Sequence, residues 1–132
     1  MKLNEYFGNV IGLGVLATAD ADGKVDVAVY SRPHFLGDGD ADEELAFVMN
    51  DHLSHENLQS NPHAAYLFIE EGGGYQGKRL FLTKVQENTD QKLIQEVSRR
   101  AMPECCEEGG PRKQYLVTFR VDGIRPLLGE NE

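Results

Sequence analysis

Tryptophan is absent from this chain of 132 residues, cysteine occurs twice, and 13 lysines and arginines face 22 aspartates and glutamates. Each shortage excludes something. Cys105 and Cys106 are adjacent inside the polar stretch PECCEEGG, which gives neither the CxxC spacing of zinc and redox motifs nor a disulfide framework. Both are read as reduced thiols on a surface loop. A net charge of −9 repels phosphate backbones and anionic lipid, so nucleic acid and membrane surfaces are not expected partners. Any phosphate bound here must be held by local groups. The opening MKLNEYFGNVIGLGVLATADADG contains one lysine and no apolar run of about 18 residues. Neither a signal peptide nor a transmembrane helix fits, and the cytoplasm is the expected compartment. The length suits one domain, residues 1–132, built around one core.

What is present reads mainly as strands. GLGVLAT (12–18) is a short apolar run, and KVDVAVYS (24–31) alternates, with Val25, Val27 and Val29 facing one way. Asp20 to Gly23 between them supply turn residues, so the pair reads as a β-hairpin. LAFVMN is a third strand. Ser54 to Ser60 then reads as one or two helical turns, with Ser54 as the capping residue and Asn61-Pro62 as the stop. HAAYLFIE is a fourth strand, GGG breaks it, and QGKRLFLTKVQE is a fifth. Residues 89–102 place Leu93, Val97 and Ala101 at helical spacing with Ile94 beside them, behind a Thr89 or Asp90 cap and before Pro103. A sixth strand, YLVTFRVDGI, alternates Leu116, Thr118 and Arg120 against Val117, Phe119 and Val121. Early links too short for helical crossovers favour a mainly β (α+β) fold: a six-stranded antiparallel barrel with two or three packed helices.

Three motifs fail on their chemistry. GGGYQGKR (72–79) approaches a phosphate-binding loop. However, Arg79 replaces the hydroxyl residue, and the strand-like RLFLTKV follows where the motif requires a helix N-terminus. DGDADEE (38–44) resembles the start of a calcium loop, but the sixth position is Glu43 and the twelfth is Met49. His52 and His55 are spaced to share a metal, with His34 or His63 in support, yet no carboxylate or cysteine completes the set, so no metal is expected. Two features suit an anion better. The strand-to-helix turn at Ser54 directs amide hydrogens outward, and Arg32, where the second strand ends, offers a bidentate phosphate contact.

The order of GVLATADADGKVDVAVYSRPHF, LAFVMN, HLSHENLQSNPHAAYLF, GKRLFLTKV and YLVTFRVDGIRPL resembles the pyridoxamine 5′-phosphate oxidase-like FMN-binding split-barrel family over about residues 8–128. Its most specific parts are LATADADGKVDV and ENLQSNPHAAYLF. The resemblance implies a split β-barrel homodimer with FMN in a cleft between two barrels. Carried over by position, it points to Tyr30, Ser31 and Arg32 on the second strand and to Asn50, Asp51, His52, Leu53 and Ser54 at the strand-to-helix turn. It adds Asn57 on the helix and Lys78 and Arg79 after GGG, from either subunit. Many members carry a lysine near the start of that helix, whereas this chain has none between Lys24 and Lys78. Phosphate binding would then rest on Arg32, Ser54 and a protonated His55, and the histidines would border the phosphate turn. The implied function is an FMN-dependent oxidoreductase acting with a small-molecule electron donor or substrate. The alternative is a flavin-binding module without turnover. A homodimer is also expected because so small a barrel leaves an apolar sheet face that one helix cannot cover. An authentic pyridoxamine phosphate oxidase is not expected: the chain is short and shows no second basic set for a substrate phosphate.

Overall fold

A computed structural model describes residues 2–35, 44–50, 52–101 and 114–129, without the side chains of 98–101. The elements run α1 (Leu3–Asn9), β1 (Gly12–Ala19), β2 (Val25–Val29), β3 (Glu44–Asn50), α2 (Leu53–Ser60), β4 (His63–Glu70), β5 (Gly77–Asn88), α3 (Gln91–Ala101) and β6 (Gln114–Pro126). All six strands join one antiparallel sheet in the order β2-β1-β4-β5-β6-β3. The turn residues of the first hairpin act as expected: Asp20 Oδ1 accepts the amides of Asp22 and Lys24, both at 2.9 Å, and Gly23 takes a positive φ of 88°. Cys105, Cys106 and residues 38–43 of the calcium-like stretch lie outside the described residues.

The sheet curls, helped by register shifts between β5 and β6 at Phe81/Leu82 and Lys84/Gln86. The segment after β2 crosses to the far edge strand, where His34 and Ala46 exchange two backbone hydrogen bonds of 2.8 Å. This bridge ties the chain leaving one edge strand to the other edge strand of the curled sheet. Period-two alternation fills the inside with Leu16, Leu45, Phe47, Met49, Tyr66, Phe68, Leu80, Leu82, Val117 and Phe119, all buried. Leu3, Tyr6 and Phe7 of α1 join this cluster, Phe7 lying edge-on to Phe68 at 5.0 Å. Outside the barrel, Ile94 and Val97 of α3 cover Ala46 and Leu116, which explains why consecutive residues of β6 are all buried. α3 shields the outer face of β3 and β6. It leaves the outer face of β2, β1 and β4 with Val25, Val27 and Val29 at 79, 66 and 70% exposure and Leu13 also exposed.

Gly14 sits where β1, Tyr66 and the end of β2 converge. A Cβ there would overlap the Tyr66 hydroxyl and the Tyr30 carbonyl. Gly14→Ala is therefore expected to destabilise the fold by about 1–3 kcal/mol. Urea denaturation checks this, and an unchanged midpoint would contradict the tight approach.

Candidate functional site

Tyr30 is the joint of the expected site. It follows β2, its amide donates to Gly14 O at 3.0 Å, and its ring packs edge-on to Phe47 at 5.8 Å. The hydroxyl of buried Tyr66 donates toward the carbonyls of Tyr30 (3.3 Å) and Ser31 (3.0 Å), which fixes the path of the chain into Arg32. Burial pushes the Tyr30 phenol up, opposed by its hydrogen bond with Ser54. That bond joins the end of β2 to the first turn of α2. Burial also raises the Tyr66 phenol, with the Arg32 guanidinium opposing it.

Beyond Tyr30, Ser31 and Arg32 are exposed. Arg32 Nη1 donates to the Phe7 carbonyl in the last turn of α1 at 2.7 Å, a C-terminal cap by a cation. Among the described residues this is the guanidinium's one hydrogen bond, so its Nε and Nη2 edge remains open to an anion. Helix α2 begins one residue earlier than expected, at Leu53. Its N-cap is exposed, extended His52, whose side chain makes no capping bond. Ser54 is thus not the cap: it lies inside the first turn, 4% exposed, and faces Tyr30.

The structure sorts the remaining candidates by what already holds them. Asn57 is buried and donates to Thr18 Oγ1 at 3.0 Å, tying α2 to β1. Asn50 Oδ1 accepts from Gln114 at 3.3 Å. Asp51 lies outside the described residues. Lys78 and Arg79 are consecutive in β5 and so face opposite sides of the sheet. Lys78 lies over the Tyr6 ring, 4.6 Å from its centroid, while Arg79 donates to the carbonyls of Pro126 (2.8 Å) and Gly129. These two cannot grip one phosphate from one subunit. Exposed Leu53 can offer only its backbone amide. Ser31, Arg32 and His52 are the exposed polar candidates.

The histidines do not act together. His34 belongs to the bridge to β3, and exposed His63 approaches Thr83 Oγ1 at 3.5 Å. His55 is buried, stacks on Tyr115 with centroids 3.8 Å apart, and contacts Glu87 Oε2 at 3.0 Å. The His55 ring is therefore turned into the protein and engaged there, away from the exposed candidates. No group of three or more metal-binding side chains occurs among the described residues.

Glu87 is the centre of this second cluster, receiving Lys84 Nζ at 2.9 Å and Gln59 Nε2 at 3.1 Å besides His55. Burial would raise its carboxyl, but bonds from His55, Lys84 and Gln59 outweigh that and hold it at about 2. A depressed carboxyl stabilises the fold fully above its unfolded value near 4.5, and the contribution is lost as pH falls toward about 2. Glu87→Gln is expected to destabilise the protein by about 1–2 kcal/mol at pH 7. Its gap from wild type should narrow between pH 4.5 and 3 in urea melts. A gap independent of pH would contradict the charged network.

An open cleft of about 410 Å³ lies elsewhere, beside the β4–β5 hairpin, among Ile11, Leu13, Ile69, Glu70 and Glu71. Two glutamates in its wall make it unsuited to phosphate.

No protein-family model and no curated protein matches the chain. Solved structures do match, over nearly the whole length. An FMN-binding protein from Syntrophomonas wolfei aligns with 98% of this chain and 86% of its own at 15% identity and a TM-score of 0.76. An F420 reductase aligns over 92% of this chain and 94% of its own, with 18% identity and a TM-score of 0.71. A pyridoxamine 5′-phosphate oxidase candidate from Lactobacillus delbrueckii gives 92% and 88%, 17% identity and a TM-score of 0.63. The chain therefore has the split-barrel fold that its order of sequence parts resembles. No helix among the described residues is long and apolar enough to cross a membrane.

Proposed function

We propose that this protein binds FMN as a homodimer and serves as an oxidoreductase for a small-molecule electron donor or substrate. The observation that carries the reading is Arg32: in an acidic chain, an exposed guanidinium stands between β2 and the His34 bridge to β3, with Nη1 engaged and its other edge open. The likeness to proteins named for FMN and for F420 supports a flavin-type cofactor. On this reading Arg32 would supply the charge, the Ser31 hydroxyl a neutral bond, and the first turn of α2 its amides. Glu56 in that same turn works against an anion, which makes Arg32 the dominant group. When bound, FMN supplies hydride or electron transfer, and the protein contributes orientation, exclusion of water and electronic tuning.

The homodimer reading rests on the uncovered sheet face. Val25, Val27, Val29 and Leu13 form an apolar outer surface that α3 does not reach, and a two-fold pairing of two such faces would bury it.

A second reading, flavin binding without turnover, is favoured by the engagement of Ser54, Asn57 and Asn50 in internal bonds, which leaves few phosphate ligands. Absorption spectroscopy separates the two. A flavin band near ~450 nm that bleaches with a nicotinamide donor supports the oxidoreductase, and a band inert to donors supports the binding module.

A further inference from the structure

Among the described residues, the one hydrogen bond of the Arg32 guanidinium is to α1. The Phe7 carbonyl that it caps belongs to a seven-residue helix, which is too short to persist without tertiary anchors. Two anchors lie beside the cap. Tyr6 Oη donates to Glu70 Oε2 at 2.5 Å, with Lys78 over its ring, and Phe7 is buried against Phe68, Tyr66 and Phe35. The Tyr6 phenol is raised by burial and by Glu70, so the hydroxyl keeps its proton and remains a donor.

We infer that α1 is a structural part of the phosphate site, with Tyr6 as a positioning residue: the Tyr6–Glu70 bond seats α1, and the seated Phe7 carbonyl orients the open edge of Arg32 toward the anion. The inference rests on the assignment of Arg32 to the FMN phosphate and deepens it. Orientation matters because a bidentate contact needs the planar fork held in one attitude, and an untethered exposed arginine must lose rotamer freedom on binding. Coupling between binding sites is reciprocal, so an anion on Arg32 should also hold α1 more firmly in place.

The test is a double-mutant cycle on the full-length protein, reading the ratio of riboflavin to FMN dissociation constants by flavin fluorescence. Tyr6→Phe keeps the ring under Lys78 and removes the bond to Glu70. It should lower the FMN preference about three- to tenfold and leave riboflavin affinity unchanged. Glu70→Gln, which leaves an acceptor for the Tyr6 hydroxyl, should lower the preference less. In an Arg32→Ala background, Tyr6→Phe should bring no further loss of preference. Equal weakening of both flavins by Tyr6→Phe would overturn the inference, as would a loss that persists undiminished without Arg32. Should Tyr6→Phe fail to fold by circular dichroism, the cycle of Glu70→Gln with Arg32→Ala decides by the same criteria. A wild type that binds FMN no better than riboflavin overturns the phosphate assignment itself. A wild type that prefers FMN, with Tyr6→Phe unchanged, overturns only the role of α1.

Discussion

Arg32→Ala is expected to weaken FMN binding about ten- to a hundredfold while leaving riboflavin binding nearly unchanged. A charge-assisted bidentate contact contributes roughly 1.5–3 kcal/mol, and every 1.4 kcal/mol is about a factor of ten in affinity. Riboflavin lacks the phosphate and cannot feel the loss. The substitution also removes the cap on α1, a loss of stability of the order of 1 kcal/mol that is read in urea melts and not in flavin preference. Titration with the two flavins therefore separates the phosphate contact from damage to the fold. Ser54→Ala is expected to weaken FMN less, on the order of 1 kcal/mol, and indirectly: its hydroxyl meets Tyr30 and joins α2 to the end of β2. Equal losses for FMN and riboflavin in Arg32→Ala, or no loss for either, would mean that the phosphate lies on another turn.

The second large effect is expected from Val27→Glu. Val27 lies at the middle of β2 and opposite Ala17, with its side chain 66% exposed on the face that α3 leaves bare. In an isolated subunit a glutamate there meets water, and such surface changes usually stay within ~0.5 kcal/mol of wild type. In a two-fold dimer the change enters twice and buries carboxylates without partners, each costing several kcal/mol. Light scattering should report a dimer for wild type and a folded monomer for Val27→Glu at micromolar concentration. FMN binding should fall with the dimer because the proposed cleft lies between barrels. A wild-type monomer, or a Val27→Glu dimer of unchanged affinity, would contradict this face as the interface.

The strands were legible because period-two patterns survive without knowledge of their partners. HAAYLFIE maps onto β4 without shift, and the Asp20–Gly23 turn forms as its residue types require. Helix α3 was legible through Ile94 and Val97. Helix α1 was missed because LNEYFGN is short and Lys2 gives no capping side chain; its signal was the spacing of Leu3, Tyr6 and Phe7, all buried. The site was less legible than the fold. Whether a polar side chain is open to a ligand depends on distant partners: Asn57 is held by Thr18, 39 positions away, and His55 by Glu87, 32 positions away. Neither pairing leaves a mark in local sequence. The division between Lys78 and Arg79 could have been foreseen, since neighbours in a strand point to opposite faces. Ser54 looked like a cap by residue type, but the extended residue before the helix is His52.

The most direct measurement is the titration of purified wild-type protein with FMN and with riboflavin, followed by flavin fluorescence at fixed ionic strength. Arg32 on the phosphate predicts saturable FMN binding at one equivalent per subunit, with riboflavin at least about tenfold weaker. Failure to bind FMN, or equal affinity for the two flavins, would contradict it.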